Sequence, residues 1–151
     1  MSKIAFLYPG QGAQVAGMGK DFYEKSPLAK EVFDKSCESL GQDMKHICFE
    51  ENELLDRTDY RQAALVTTCM AMTKEIMARG LTPDMTAGLS LGEYCAITTA
   101  GGMELEDAIK MVWLRGNIIH NDVAEGKGGM AAVLGLSGDA VHEELATSEG
   151  V

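Results

Sequence analysis

Long apolar runs are absent from this chain of 151 residues. Glycine, threonine or a charged residue interrupts each apolar stretch well before the roughly 20 residues that a membrane-spanning helix needs, so we expect no membrane association. Only residues 4–8 are apolar ahead of Pro9, which is too short for the core of a signal peptide.

Positive charge is also scarce. The chain has 13 lysines and arginines against 23 aspartates and glutamates, a formal net charge of −10. No run of basic residues offsets this balance locally. We therefore expect neither nucleic acid nor an anionic membrane as a partner, because both repel an acidic surface.

The four cysteines, Cys37, Cys48, Cys69 and Cys95, have no Cys-x-x-Cys spacing and no neighbouring pair of histidines. Structural zinc sites depend on such spacing, so no metal site is predicted. The thiols are typical of reduced cysteines in a cytoplasmic protein.

The overall composition, with 46% apolar and 24% charged residues, is typical of a folded domain. Candidate strands alternate with candidate helices, which predicts an α/β fold with a mainly parallel sheet. The strands are expected at 3–8 (a buried strand), 85–88 and 130–136. The helices are expected from Ser26 to Gly41, over 60–79 with Asp59 as its cap, from Gly92 to about 101, over 104–123, and from Ser137 or Asp139 to about 148.

A glycine-rich stretch at 126–129 interrupts the hydrophobic periodicity of both helices and strands, and it predicts a subdomain boundary. The chain then divides into residues 1–125 and residues 126–151. A lone strand and helix after this boundary cannot bury their apolar faces, so we expect further chain beyond Val151.

The segment Gly88-Leu89-Ser90-Leu91-Gly92 matches the G-x-S-x-G pattern, with a strand before it and a helix after it. In this setting a serine occupies a sharp, strained turn that exposes its hydroxyl, and the glycines avoid clashes. The helix N-terminus behind it directs the amide of Leu91 toward a developing oxyanion. A glycine-flanked serine can also be an ordinary helix cap, but with a strand before it and a helix after it we interpret Ser90 as a nucleophile.

A serine nucleophile needs a base. His46 is predicted in a connecting segment, His120 off the apolar face of its helix, and His142 on the last helix. No local pattern marks any of the three as that base.

Arg115 is the second unusual residue. On a helix over 104–123 it falls within a predicted apolar stripe formed by Ala108, Met111, Val112, Ile118 and Ile119. An inward arginine needs an anion. It pairs either with an internal carboxylate or with an anionic substrate, whose carboxylate a guanidinium grips with two prongs. A surface arginine at the edge of the stripe is the third alternative.

Several motifs coincide along the chain. They are Tyr8-Pro9-Gly10-Gln11-Gly12-Ala13-Gln14, Arg61-Gln62-Ala63-Ala64-Leu65, Gly88-Leu89-Ser90-Leu91-Gly92-Glu93-Tyr94, Trp113-Leu114-Arg115-Gly116 and Gly129-Met130-Ala131-Ala132-Val133-Leu134-Gly135. In this order and spacing they resemble the N-terminal half of malonyl-CoA:acyl carrier protein transacylases, a family that includes the acyltransferase domains of fatty-acid and polyketide synthases.

The resemblance implies roles for individual residues. Ser90 takes the acyl group from coenzyme A and passes it to the phosphopantetheine thiol of acyl carrier protein. Gln11 and the amide of Leu91 line the oxyanion hole, Arg115 binds the malonyl carboxylate, and Gln62 lines the site. Malonyl-CoA enters as a substrate, and no cofactor is implied.

The resemblance also implies an α/β-hydrolase-like large subdomain carrying a ferredoxin-like small subdomain that begins near Gly126. Members of the family commonly have a histidine where this chain has Leu89, a change expected to affect packing more than competence. The family's catalytic histidine lies in the half that follows Val151. We therefore expect the chain to be incomplete relative to the family and to need a C-terminal half.

Two other functions are compatible with these residues. A serine hydrolase or thioesterase would pass the acyl group to water, and a truncated, non-catalytic relative would bind acyl carrier protein or a partner half. Carrier proteins of this pathway are typically acidic, and the sequence shows no basic patch that would dock one.

Overall fold

The computed structural model describes residues 2–122 and 133–147. In these ranges, helices pack against one face of a two-stranded parallel sheet, formed by β1 (Ala5–Tyr8) and β2 (Met85–Gly88). Ala5 pairs with Met85 and Tyr8 with Gly88, so both strands end at the same edge. The helices are α1 (Lys20–Lys25), α2 (Pro27–Leu40), α3 (Met44–Phe49), α4 (Thr58–Ala78), α5 (Gly92–Thr99), α6 (Leu105–Asp122) and α7 (Gly138–Thr147).

The ends of α2 lie where its sequence predicts them. The hydroxyl of Ser26 accepts a hydrogen bond from the amide of Ala29 at 3.1 Å, which satisfies one of the free donors of the first turn. Pro27 occupies the first helical position. Gly41 ends the helix with φ of 62°, the left-handed conformation that glycine adopts at little cost.

Helix α4 is the centre of the fold, and its predicted extent is confirmed. It is buried on most of its surface because α2 and α6 both pack against it. The prediction that Asp59 caps α4 is wrong. Arg57 is the N-cap residue, and the Asp59 carboxylate, in the first turn, accepts a hydrogen bond from Arg57 Nη2 at 2.7 Å.

The predicted apolar stripe of α6 is wrong in part. Met111, Ile118 and Ile119 are exposed, and the buried residues are instead Leu105, Ala108, Ile109, Val112 and Gly116. The helix turns its smallest residue, Gly116, toward α4. A side chain at that position would hold the two helices apart, so the glycine determines which face is buried.

The expectation of a buried first strand is also wrong for most of β1. Tyr8 is buried, and its hydroxyl hydrogen-bonds Thr73 of α4 and Thr99 of α5 at 3.1 and 2.6 Å. Leu7 points to the opposite face of the sheet and is 76% exposed. In the described ranges, helices cover the Tyr8 side and leave the Leu7 side open.

Two further predictions concern the end of the chain. The final helix is confirmed as α7, although the residues before it at 133–136 do not form the predicted strand. The first residues of that strand, 130–132, and the glycine-rich boundary at 126–129 lie outside the described residues. Within the described ranges, no helix combines the length and the hydropathy needed to cross a bilayer.

Candidate active site

Ser90 lies in the sharp turn between β2 and α5. Its φ is +56°, and it is the one non-glycine residue with a positive φ in the described part of the chain. A serine in this region is strained by roughly 1–2 kcal/mol, because its Cβ crowds the following carbonyl oxygen. Its side chain is exposed at the edge where both strands end. The strain and exposure that the motif predicts are therefore present.

The two glycines of the motif are required by packing. A Cβ on Gly88 would lie 2.0 Å from the backbone carbonyl carbon of Gly92. A Cβ on Gly92 would lie 2.6 Å from the carbonyl oxygens of Tyr8 and Pro9. Helix α5 thus starts in direct contact with the backbone at the ends of both strands, and this contact fixes the position of Ser90.

The backbone next to Ser90 offers a free donor. Leu91 is the N-cap residue of α5, and its side chain is fully buried. Its amide donates to no acceptor within residues 2–122 and 133–147. The N-terminus of a helix carries a partial positive charge, so this amide can stabilise a negative oxygen formed on the Ser90 side.

The loop after β1 brings Gln11 to the same end of the sheet. The amide of Leu89 donates to the carbonyl of Tyr8 at 3.0 Å, which fixes the serine turn to the end of β1. A Cβ on Gly10 would lie 3.1 Å from the carbonyl oxygen of Leu89, so the loop runs directly against the turn. Gln11, the next residue, is exposed beside it.

Arg115 connects α6 to this turn. Its Nη2 donates to the Oγ of Ser90 at 2.9 Å, and its Nη1 donates to the Oε1 of Gln62 on α4 at 2.5 Å. Gln62 is 1% exposed, whereas Arg115 is half-buried. Three of the residues predicted for the site, from two helices and the serine turn, are therefore joined by two consecutive hydrogen bonds.

The charge of Arg115 has no counterion among the residues that the structure describes. Across the described residues, no aspartate or glutamate lies within ion-pair distance of its guanidinium. The structural ion pair left open by the sequence is thus not formed in these ranges. A half-buried cation with neutral partners is suited to binding an anion.

Two of the four cysteines, Cys48 and Cys95, do not compete with Ser90 as nucleophiles. Burial raises the pKa of the Cys48 thiol to about 12. A hydrogen bond with Cys69, together with burial, raises the pKa of the Cys95 thiol on α5. A thiol reacts as its thiolate, so both groups are unreactive near neutral pH.

The histidines do not supply a base. None of the three hydrogen-bonds Ser90. His46 lies on α3 and not in a connecting segment, with its Nδ1 3.1 Å from a carboxylate oxygen of Glu50. His120 and His142 are exposed on α6 and α7. In the described ranges, no group of histidine, cysteine, aspartate and glutamate side chains is placed to hold a metal ion.

Sequence reasoning missed one residue that builds the site. A Cβ on Gly116 would lie 2.8 Å from the Cα of Asp59 and 3.0 Å from the carbonyl oxygen of Thr58. This glycine lets α6 approach the first turn of α4, which brings Arg115 within reach of Gln62. Its place directly after Arg115, on a helical face with Ala108 and Val112, was the available signal.

The fold and the site are those of an α/β protein with a serine on a strand-to-helix turn and an arginine beside it, an arrangement typical of serine nucleophiles. Residues 5–151 match the family model of the acyl transferase domain. The chain belongs to this acyltransferase family.

Three relatives illustrate the similarity. The malonyl CoA-acyl carrier protein transacylase of Bacillus subtilis (strain 168) is 44% identical over 99% of this chain and 48% of the relative. The crystal structure of the Clostridium perfringens enzyme of the same name has 43% identity and a TM-score of 0.87, covering 97% of this chain and 47% of that one. A malonyl-transacylase solved in complex with its type II PKS acyl-carrier protein has 32% identity and a TM-score of 0.88, covering 97% and 49%.

The chain spans about half the length of the curated relatives that it matches. The fold of this half agrees with the solved structures, as an α/β arrangement with a small parallel sheet and mostly helices.

Proposed function

We propose that this chain is the nucleophile-bearing half of an acyltransferase that moves a malonyl group from malonyl-CoA to the phosphopantetheine thiol of acyl carrier protein, in fatty-acid or polyketide synthesis. The observation that carries the proposal is the guanidinium of Arg115, hydrogen-bonded to Ser90 and without a carboxylate partner in the described residues. The names of the relatives supply the substrate and the acceptor.

The reaction proceeds through an ester on Ser90. The Oγ of Ser90 attacks the thioester carbonyl, and a base takes the hydroxyl proton. The carbonyl electrons then return, the C–S bond breaks, and coenzyme A leaves as the thiol after accepting that proton. The carrier thiol attacks the ester in the same way and leaves Ser90 free.

Gln11 and Leu91 stabilise the oxyanion in both steps. The amide of Leu91, at the N-terminus of α5, donates to no acceptor in the described part of the chain, and Gln11 lies on the adjoining loop. Donors already held in place cost no reorganisation during the reaction, which is why such sites lower the barrier strongly.

Arg115 selects the acyl group. The malonyl carboxylate is an anion of the size that a guanidinium binds with two parallel hydrogen bonds. Gln62 positions the guanidinium because its Oε1 accepts a hydrogen bond from Nη1 of Arg115. Since Gln62 is buried, the position of this acceptor is fixed.

The missing base belongs to the part of the protein beyond this chain. We assign residues 1–125 to an α/β-hydrolase-like large subdomain and residues 126–151 to the start of a ferredoxin-like small subdomain. A C-terminal half then supplies the catalytic histidine and the surface that docks acyl carrier protein. The four free thiols fit a site of action in the cytoplasm.

The test is to incubate the complete protein with malonyl-CoA, with and without holo acyl carrier protein, and to quantify malonyl-carrier and free malonate. We expect malonyl-carrier to be the main product and its formation to require Ser90. Free malonate as the main product would indicate a hydrolase instead. Carrier binding without either product would indicate a non-catalytic protein.

A further inference from the structure

The hydrogen bond from Arg115 engages the oxygen of the proposed nucleophile, Ser90. Ser90 Oγ accepts from a cationic donor at 2.9 Å, so one of its lone pairs is engaged before any substrate arrives. A hydroxyl oxygen loses basicity when it attacks a carbonyl carbon, because its electrons enter the new bond. The contact therefore stabilises the resting serine more than the transition state, and it slows attack.

Gln62 keeps this contact in place. Its Oε1 accepts from Nη1 of Arg115 at 2.5 Å, and the residue is buried in α4. With Nη1 fixed, the planar guanidinium presents Nη2 toward Ser90. A carboxylate that binds the same guanidinium competes for Nη2 and neutralises its charge, and both effects weaken the bond to Ser90.

We propose that Arg115 holds Ser90 in a resting hydrogen bond, and that a carboxylate on the incoming acyl group weakens this bond and releases the nucleophile. This inference rests on the proposed function and deepens it. Selectivity for a carboxylated acyl group is then exerted on the reactivity of Ser90 as well as on substrate binding. A neutral acyl group such as acetyl leaves the hydrogen bond from Arg115 to Ser90 intact, so Ser90 reacts with it more slowly.

The experiment measures the reactivity of Ser90 in the complete protein toward phenylmethanesulfonyl fluoride, a neutral reagent that carries no carboxylate. The Oγ–S bond forms, the S–F bond breaks, fluoride leaves, and the base takes the hydroxyl proton. The rate is followed by mass spectrometry of the Ser90 peptide. Sodium formate, the smallest carboxylate, is compared with sodium chloride at equal ionic strength.

We expect formate to accelerate modification of the wild-type protein. We expect Arg115→Ala to react roughly tenfold faster than wild type in chloride, the effect of losing one charge-assisted hydrogen bond, and to be insensitive to formate. Lys110→Ala is the matched control, because it removes an exposed positive charge from the same helix without touching Ser90. It should behave like wild type in both salts.

The proposal is overturned if formate leaves the wild-type rate unchanged or lowers it, or if a folded Arg115→Ala protein reacts no faster. The formate comparison needs no variant, so a folding defect in Arg115→Ala does not remove the test. A malonyl ester found on Ser90 in the same preparation would leave the proposed function standing even where the formate test fails.

Discussion

Gly116 of α6 lies against the backbone of Asp59 in the first turn of α4, so closely that an added Cβ would be 2.8 Å from the Cα of Asp59. The two residues are on the helices that carry Arg115 and Gln62. Their contact sets the separation of α4 and α6 at the level of the site. The geometry of the arginine therefore depends on a residue that has no side chain.

Replacing this glycine should separate the helices. Gly116→Ala gains helix propensity but places a methyl group against backbone atoms that cannot rotate away, and overpacking of this kind costs about 1–3 kcal/mol. We expect a lower free energy of unfolding in urea and a loss of malonyl transfer, because Arg115 moves away from Gln62. Gly138→Ala is the control, since a Cβ there meets nothing within 4 Å. Equal stability of the two variants would contradict this account of the helix contact.

The strained backbone of Ser90 should reverse an ordinary order of stability. Within a helix or strand, a protein with glycine is normally less stable than the same protein with alanine by about 0.5–1 kcal/mol. At φ of +56° alanine retains the Cβ clash and glycine does not, so the order should reverse. We expect Ser90→Gly to be at least as stable as Ser90→Ala by thermal unfolding.

Ser39 provides the comparison for that reversal, because it lies in the last turn of α2 and does not have a positive φ. At that position, Ser39→Ala should be more stable than Ser39→Gly. If alanine were also clearly the more stable at position 90, the turn would not carry the strain described here.

Asp59 should make the fold sensitive to acid. Burial disfavours its charged form, but the hydrogen bond and charge of Arg57 outweigh this, so the pKa of the carboxyl is lowered. A lowered pKa contributes stability above the unfolded value of about 3.9, and this contribution is lost as the pH falls through the folded value. The difference in free energy of unfolding between wild type and Asp59→Asn should therefore narrow below about pH 4.

Chemical denaturation at a series of pH values measures that difference. Asp21→Asn is the control, because Asp21 is exposed on α1 and forms no ion pair within the described residues. The free energy of unfolding of Asp21→Asn, plotted against pH, should run parallel to that of wild type. A gap for Asp59→Asn that stays constant down to pH 3 would show that the Arg57 contact does not stabilise the folded state.

Local patterns predicted the parts of the structure that local interactions determine. The Ser26 cap, the Gly41 end of α2 and the strained turn at Ser90 each depend on a few adjacent residues, so a single segment of sequence contains the information. The parallel pairing of β1 and β2 also followed, because helices separate the two strands along the chain.

Contacts between distant residues were not predictable in this way. Gln62 and Arg115 are 53 positions apart, and no local pattern indicates that they meet. The stripe of α6 was misplaced because periodicity favours large apolar side chains such as Met111 and Ile118, whereas Gly116 decides the packing. Asp59 was predicted as a helix cap because the sequence does not show that its carboxylate accepts a hydrogen bond from Arg57.

The most direct measurement of the central claim is peptide mapping of the complete protein after brief incubation with malonyl-CoA and acid quenching. We predict a malonyl mass increment on the peptide that contains Ser90, and its loss both in Ser90→Ala and after addition of holo acyl carrier protein. A protein that transfers malonyl without ever carrying it on that peptide, or that keeps the increment in Ser90→Ala, would contradict the account.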